Sequence, residues 1–319
     1  MKKYLILASL LLFIVDVAIA QKKVKNSAKS SITPNLELEN SVFWEISGKG
    51  IKEPSYLFGT HHLYPPDSVK KNEFIKEKIR KSKTVIGEIA LDNMMATSMA
   101  MMKVAIMQDT TLKDLLGEKK FNQVDEYLQT NMGMSAALFN KMRPMMLIQM
   151  ISVKKISKEL GLDENKMMSG DPSNSLDGYF QTYGKSLEKE IIGLETVELQ
   201  ANVLLKGSSL QRQAEMLMEV IEDKGSQSSE SMKKLNKYYA EQNLNELAKF
   251  GLDDKNMKPE EYNSLLKNRN DAWMPQIYKL VQEKPVFIAV GALHLVGKDG
   301  LIYQLRKQGY TVKPLKTKI

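Results

Sequence analysis

Apolar and polar residues follow the strand and helix periods in an order typical of an α/β protein. The segment "SVFWEIS" (42–48) is rich in β-branched and aromatic residues, and "SYLFGT" follows it after the turn "GKG", so both are predicted strands of a hairpin. Apolar residues then recur near the helical spacing over 68–83, before the apolar run "TVIGEIAL" (84–91), which predicts a buried strand. This β-α-β order predicts a sheet covered by helices.

The middle of the chain, about 93–260, has a different pattern. Helical periods dominate it, with glycines near the ends of the helices. One segment, "LEKEIIGLET" (187–196), predicts a strand followed by a loop. The middle is therefore interpreted as a mainly helical insertion that returns once to the sheet.

The end of the chain resumes the α/β order. A helix is predicted over about 259–283, and after it come the strand "PVFIAVG", the helix "DGLIYQLRKQG" and the last strand "YTVKPL". The fold class expected is mixed α/β (α+β), with a central sheet, covering helices and the helical middle insertion. The folded domain is expected to span 41–319.

The first twenty residues have the layout of a cleaved secretory signal. Lys2 and Lys3 precede an apolar stretch, and "AIA" precedes Gln21. The segment is too short and too weakly flanked to predict a membrane anchor, so no stable span is expected after cleavage. Residues 21–40 are polar and predict a flexible leader. The protein is expected to be exported, either to the periplasm or out of the cell.

Composition limits the remaining function classes. The chain has no cysteine, so an exported protein of this size must be stabilised by its core and not by disulfides. The net charge is +8, but the lysines are scattered among glutamates without an aromatic-interleaved basic stripe. Nucleic acid is therefore not an expected partner, whereas a peptide or protein substrate is. The sequence does not predict the oligomeric state.

The chain's three histidines lie behind two copies of Gly-x-x-His. His62 follows Gly59 and His294 follows Gly291, each just after an apolar run that predicts a buried strand. Side chains in a loop after a strand are held by the sheet and reach a cleft. If the two strands are neighbours, the two imidazoles meet. His61 is expected to point away, because one of two adjacent side chains usually does.

A carboxylate follows a third predicted strand in the same way. Glu88 comes directly after "TVIG", and two histidines with a carboxylate commonly bind Zn, Mn, Fe or Co. The alternative is structural: His62 and His294 are satisfied by backbone groups, and Glu88 caps a helix or forms an ion pair. A serine-triad enzyme is not expected, since no Gly-x-Ser-x-Gly occurs in the chain.

Several segments together resemble the TraB/GumN family, which includes the Tiki metalloproteases. The resemblance covers about 42–315, matches least well in the helical middle, and is carried by "YLFGTHHLYP", "VIGEIALD", "IIGLETVELQ", "LLKNRNDAWMP" and "VFIAVGALHLVGKDGLIYQLRKQGYTVKPL". It implies an α/β fold with paired site loops and, for the Tiki branch, a divalent-metal-dependent peptidase.

The resemblance also implies site residues. The family's two Gly-x-x-His motifs fall on Gly59 with His62 and on Gly291 with His294, and its acidic residue after the early strand falls on Glu88. Its "GLET" segment supplies Glu195, and its Arg-Asn pair supplies Arg269 and Asn270. Where the family commonly has Glu-Leu-Asp, this chain has Glu-Ile-Ala at 88–90, with an aspartate two residues later at 92.

The resulting hypothesis is a metal-dependent hydrolase, most simply a peptidase. His62, His294 and Glu88 hold a divalent ion (Mn, Co, Zn or Fe) that lowers the pKa of bound water to about 7. Glu195 is then a general base, a fourth ligand or a structural acid. Arg269 binds a substrate carboxylate, stabilises an oxyanion or forms a structural ion pair, and Asn270 orients one of these groups.

Two other functions use the same residues. In one, the protein is non-catalytic and binds haem or a metal through its histidines. In the other, a His/Glu pair acts as an esterase without metal.

Methionines crowd two of the predicted helices. Core packing is the common use of methionine, an adaptable groove for a peptide or partner is a second use, and Cu(I) binding is a third. The residues concerned are Met94, Met95, Met99, Met101, Met102 and Met107 in one helix and Met142, Met145, Met146 and Met150 in the other.

Overall fold

The chain divides into two compact units. A computed structural model describes residues 36–62, 64–91, 93–161, 171–222, 226–252 and 257–319. We call residues 94–170 with 197–232 the helical unit, and residues 22–93, 171–196 and 233–319 the sheet unit. The predicted signal segment and most of the predicted leader lie outside the described residues.

The described part of the sheet unit contains a six-stranded mixed sheet. Its strands are β1 (Phe43–Ser47), β2 (Ser55–Thr60), β3 (Thr84–Gly87), β4 (Glu190–Gly193), β5 (Val286–Gly291) and β6 (Thr311–Pro314). Their order is β4-β3-β5-β2-β1-β6. β1 pairs antiparallel with β2 and β6, whereas β4, β3, β5 and β2 are parallel neighbours. The predicted mixed α/β fold is confirmed.

The centre of this sheet forms the core of the unit. Every residue of β2 and β5 is buried, as expected for parallel strands that are covered on both faces. The rings of Phe58 and Phe287 both pack against Phe180, with centroids 4.8 and 4.9 Å away. This apolar packing fixes the strands, and hence the positions of the loops that leave their carboxyl ends.

The sheet unit also contains the helices that cover the sheet. These are α1 (Asp67–Lys70), α2 (Glu73–Lys81), α6 (Leu176–Ser186), α10 (Leu244–Gly251), α11 (Pro259–Tyr262), α12 (Asn268–Glu283) and α13 (Leu301–Lys307), and the residues from 233 on of α9 (Ser226–Ala240). A π-helical turn, Asn263–Lys267, joins α11 to α12. A short 3₁₀ turn, Ala292–Leu295, follows β5 and carries His294.

The described residues of the helical unit form five main helices. They are α3 (Met94–Ala105), α4 (Leu112–Met132), α5 (Pro144–Leu160), α7 (Val197–Lys206) and α8 (Leu210–Glu222). The sequence placed the helical insertion at about 93–260, but residues 171–196 and those from 233 on group with the sheet. The helices after 233 were assigned to the insertion because their period is helical, and periodicity alone does not tell which layer a helix packs on.

The methionines of this unit mainly pack. Met101, Met107, Met145 and Met146 are buried, with exposed fractions of at most 4%. Packing was the favoured interpretation, and these residues agree with it. Met95 and Met99, one helical turn apart on α3, are instead exposed. None of the helices among the described residues combines the length and the apolar character needed to cross a lipid bilayer.

Candidate functional site

Four parallel strands deliver the candidate residues to one edge of the sheet. His61 and His62 follow β2, His294 follows β5, Glu88 follows β3 and Glu195 follows β4. In the sheet these strands are consecutive neighbours, and the carboxyl ends of parallel strands lie at the same edge. The two Gly-x-x-His strands are neighbours, which was the condition for their histidines to meet, since Thr60 pairs with Gly291.

The glycines of the two motifs allow these loops to approach each other. A Cβ atom on Gly59 would lie 3.0 Å from the Cα of Ala292 and 3.1 Å from the side chain of Leu295, in the turn that carries His294. A Cβ on Gly291 would lie 3.2 Å from Oε1 of Glu88. The same carboxylate oxygen accepts a hydrogen bond of 2.8 Å from the Gly291 N–H. Each glycine therefore makes room for a neighbouring loop of the site.

Arg269, on α12, lies at the centre of the cluster. Its Nη2 donates to Glu88 and Glu195, both at 2.6 Å, and its Nε donates to the Glu195 carboxylate. Its Nη1 donates to the Leu265 carbonyl at 2.9 Å and to Nε2 of His294 at 3.1 Å. These contacts use all five N–H donors of the guanidinium, and the side chain is only 2% exposed.

His294 is held in one tautomer. Asn270 uses its Nδ2 to donate to the carbonyls of His294 and Asp299, so its Oδ1 accepts from Nδ1–H of His294 at 2.6 Å. Nε2 is then the acceptor atom that faces Arg269. Burial, followed by the charge of Arg269, lowers the pKa of His294 to about 3. The ring is neutral at physiological pH and packs 4.4 Å from the Trp273 ring.

His62 is held in a different way, by a carboxylate. Its Nδ1 lies 2.7 Å from Oδ2 of Asp177, and the other oxygen of Asp177 accepts a 2.6 Å hydrogen bond from the Thr60 hydroxyl. Burial alone would lower the pKa of His62, but the Asp177 carboxylate outweighs it and raises that pKa to about 9. The charges of Glu88 and Arg269 also act on His62. The two motif histidines are therefore in opposite protonation states at neutral pH.

The two glutamates also differ. Burial raises the pKa of each, but for Glu88 the charges of Arg269 and His62 outweigh burial, so its pKa is below the usual value. For Glu195 burial wins over its hydrogen bonds from Arg269, and its pKa is raised. Glu195 is therefore the carboxylate of this pair that takes up a proton more readily.

His61, in the loop after β2, packs against an aromatic side chain. Its ring centroid lies 5.3 Å from that of Tyr239, whose hydroxyl donates to the Gly59 carbonyl at 2.7 Å. Burial and then the neighbouring His62 lower the pKa of His61 to about 4. It is therefore neutral at physiological pH and packs against Tyr239.

The loop that carries Glu88 is clamped by Gln181. The Gln181 side chain donates to the Ile89 carbonyl at 3.0 Å and accepts from the Leu91 N–H at 2.8 Å. Ala90 lies in this loop, and residue 92 lies outside the described residues. The predicted strand 84–91 therefore stops at Gly87, and the residues after it form this clamped loop.

Sequence reasoning missed Asp177, Thr60 and Gln181. Asp177 is in the first turn of α6, after the N-cap Ser175, where an acidic residue is common because it favours the helix dipole. Its partner His62 lies 115 positions earlier. Nothing local in the sequence distinguishes Asp177 from an ordinary first-turn residue.

The arrangement does not fit a metal ion held by His62, His294 and Glu88. The described residues contain no group of three or more His, Asp or Glu side chains placed to hold a metal ion. The physical reason is Arg269, whose guanidinium contacts Glu88 and Nε2 of His294. The predicted convergence of these loops occurs, but a side-chain cation lies among the proposed ligands.

Comparison with known proteins gives the family. No curated protein and no solved structure matched significantly. A family model matches residues 42–314, which include all the residues of the cluster described above. The chain belongs to the TraB/PrgY/gumN family.

Proposed function

We propose that this chain is a hydrolase that cleaves a peptide or ester carbonyl at the carboxyl edge of its sheet. Hydrolysis needs one group that takes a proton from water and another that gives a proton to the leaving atom. The observation that carries the proposal is one buried cluster at this edge in which the pKa of His62 is raised, that of Glu88 is lowered and that of Glu195 is raised, the two glutamates being bound to Arg269. Groups with divergent pKa values in one buried cluster are typical of acid–base sites.

His62 is assigned the acid role. The Asp177 carboxylate keeps its imidazole protonated at neutral pH, and Thr60 orients Asp177. A protonated imidazole with a pKa of about 9 donates a proton to a departing amine or alkoxide. Asp177 acts through His62 and is therefore a positioning residue.

Glu195 is assigned the base role. Its pKa is raised by burial, which makes it a stronger base than Glu88. Arg269 and the indole N–H of Trp273, 3.3 Å from Oε2, hold its carboxylate in place. Proton transfer by such a positioned carboxylate typically contributes a factor of about 10² to 10⁴ in rate.

Arg269 supplies positive charge to the site but has no N–H group left to donate to a substrate. Because all five of its N–H groups are engaged, it stabilises negative charge on a substrate oxygen chiefly through its field in a site of low dielectric. Direct binding of an oxyanion requires the loss of one of these bonds. The geometry thus favours the structural ion-pair role of Arg269 over direct substrate binding.

A metal-dependent peptidase is the second candidate, implied by the family. One observation favours it: the Nδ1 atoms of His62 and His294 are held by Asp177 and Asn270, as second partners hold metal-binding imidazoles. A divalent ion (Mn, Co, Zn or Fe) would need Glu88 and His294 to leave Arg269.

We also propose where the protein acts. The signal-like residues 1–20 support export to the periplasm or the medium, where a peptide or protein is the proposed substrate. Nucleic acid is not a proposed substrate or partner.

The test is a hydrolysis assay on the purified chain with a panel of peptides and esters. His62→Gln and Glu195→Gln are each expected to lower kcat at least about 100-fold, whereas the control His61→Gln keeps turnover within a few-fold. Turnover that survives both substitutions would contradict the proposal. A chelator separates the two candidates, since loss of turnover that Mn²⁺ or Co²⁺ restores favours the metal form.

A further inference from the structure

Arg269 contacts the atoms that a metal ion would need. Nε2 is the only ring nitrogen of His294 left to accept, because Nδ1 is bound to Asn270. Arg269 Nη1 lies 3.1 Å from that Nε2, and Nη2 lies 2.6 Å from Oε2 of Glu88. A divalent ion binds imidazole nitrogen at about 2.0–2.1 Å through the same lone pair. The guanidinium and the ion therefore cannot both occupy His294.

The charge of Arg269 also prevents the guanidinium and a divalent metal ion from occupying the site together. A guanidinium is not deprotonated in proteins, and the charges of Glu88 and Glu195 raise the pKa of Arg269 further against the effect of burial. Arg269 cannot leave the site by losing its proton. It would have to swing out and also give up its bonds to Glu195 and the Leu265 carbonyl.

We infer that Arg269 is the resident cation of this site and excludes divalent metal ions from Glu88 and His294. Its guanidinium neutralises the two glutamates and occupies the His294 lone pair. The native chain consequently binds divalent ions weakly at this cluster. Removal of the guanidinium leaves two carboxylates and a neutral imidazole, which is the donor set that Mn²⁺, Co²⁺ and Zn²⁺ prefer. This inference concerns cation binding and does not depend on the hydrolase proposal.

Co²⁺ titration tests the inference, because bound Co²⁺ gives visible absorption and no turnover is needed. Arg269→Met keeps an unbranched side chain and removes the charge. We expect it to bind one Co²⁺ at least 10-fold more tightly than the native chain does, with a new visible spectrum. The matched control is Arg80→Met, which removes a partly exposed arginine of the same unit and is expected to bind as the native chain does.

A second substitution locates the gained site. In the Arg269→Met background, His294→Ala is expected to remove the added Co²⁺ affinity and the visible spectrum. Retention of both would place the ion elsewhere and overturn the inference.

Arg269→Met leaves Glu88 and Glu195 buried without their partner, so it is also to be refolded with Co²⁺ present. Folding that depends on Co²⁺ supports the inference. If the variant does not fold at all, Co²⁺ binding to the native chain provides the test. Native Co²⁺ binding with a dissociation constant below about 1 µM, abolished by His294→Ala, overturns the inference, whereas millimolar binding supports it.

Discussion

A Cβ atom placed on Gly59 would lie 3.0 Å from the Cα of Ala292. These two residues belong to the two Gly-x-x-His segments, so the backbone of one motif packs directly on the turn of the other. The glycine of the first motif thus sets the position of the second histidine. A recurring pattern in the sequence corresponds here to two interlocked loops.

We predict that Gly59→Ala lowers the free energy of unfolding by about 1–3 kcal/mol, the usual cost of overpacking. The added methyl group meets backbone, which cannot yield easily. Urea unfolding measures the loss. Gly251→Ala is the control, because its added methyl group would meet the end of the Leu293 side chain, which can move. Equal losses in the two variants would contradict the interpretation.

We predict that Asp177→Asn lowers the pKa of His62 from about 9 to below 7. The amide keeps the shape of the carboxylate but loses the charge that outweighs burial. NMR titration of the imidazole carbon signals measures the change. Asp171→Asn, a substitution before α6 in the same unit, is expected to leave the pKa of His62 within about half a unit of the native value. An unchanged pKa in Asp177→Asn would show that another group holds the proton.

The raised pKa of His62 predicts how stability depends on pH. The folded pKa, about 9, lies above the ordinary histidine value of 6.5, so the folded state binds the proton more tightly than the unfolded state. This stabilisation is fully present below pH 6.5 and is lost as pH rises through about 9. We expect urea unfolding to show a loss of about 3 kcal/mol across that window, and His62→Gln to remove that part of the slope. Parallel pH profiles for the two proteins would disprove the linkage.

We predict that Arg269→Lys lowers the free energy of unfolding by about 2–4 kcal/mol. An ammonium keeps the charge but has three donors on one atom, so it cannot reach Glu88, Glu195 and His294 together. Breaking a buried ion pair is costly because it leaves a charge uncompensated. The control Arg80→Lys, at a partly exposed arginine, is expected to change stability by less than about 0.5 kcal/mol. Comparable effects of the two substitutions would contradict a central role for Arg269.

The sequence predicted the sheet and the loops because both are encoded locally. β2 and β5 are six-residue strands with apolar centres, and a glycine within the last two positions of each marks where the chain turns. The same reasoning placed His62, His294 and Glu88 at strand ends, and the parallel pairing brought those ends to one edge. His62 was chosen over His61 because it is the histidine of the Gly-x-x-His motif, and alternation implied only that one of the two points away.

The contacts among these residues could not be predicted, because they join distant parts of the chain. Asp177 and His62 are 115 positions apart, and Arg269 and Glu88 are 181 apart. Arg269 was expected to bind substrate or an oxyanion, or to form an ion pair. These roles differ in how many of the N–H donors of Arg269 are already bound to protein groups. That number is known only once the chain has folded.

The π-helical turn Asn263–Lys267 affects how the helical segment on either side of it binds Asp299, which lies in the loop before α13. Tyr262 donates to the side chain of Asp299, and Asn270 donates to its carbonyl. Residues eight apart in a regular α-helix lie about 80° from each other around the axis, but a wide turn that absorbs one residue reduces this to about 20°. The extra residue therefore aligns two donors that a regular helix would point in different directions, and a one-residue deletion there would remove one of these two hydrogen bonds to Asp299.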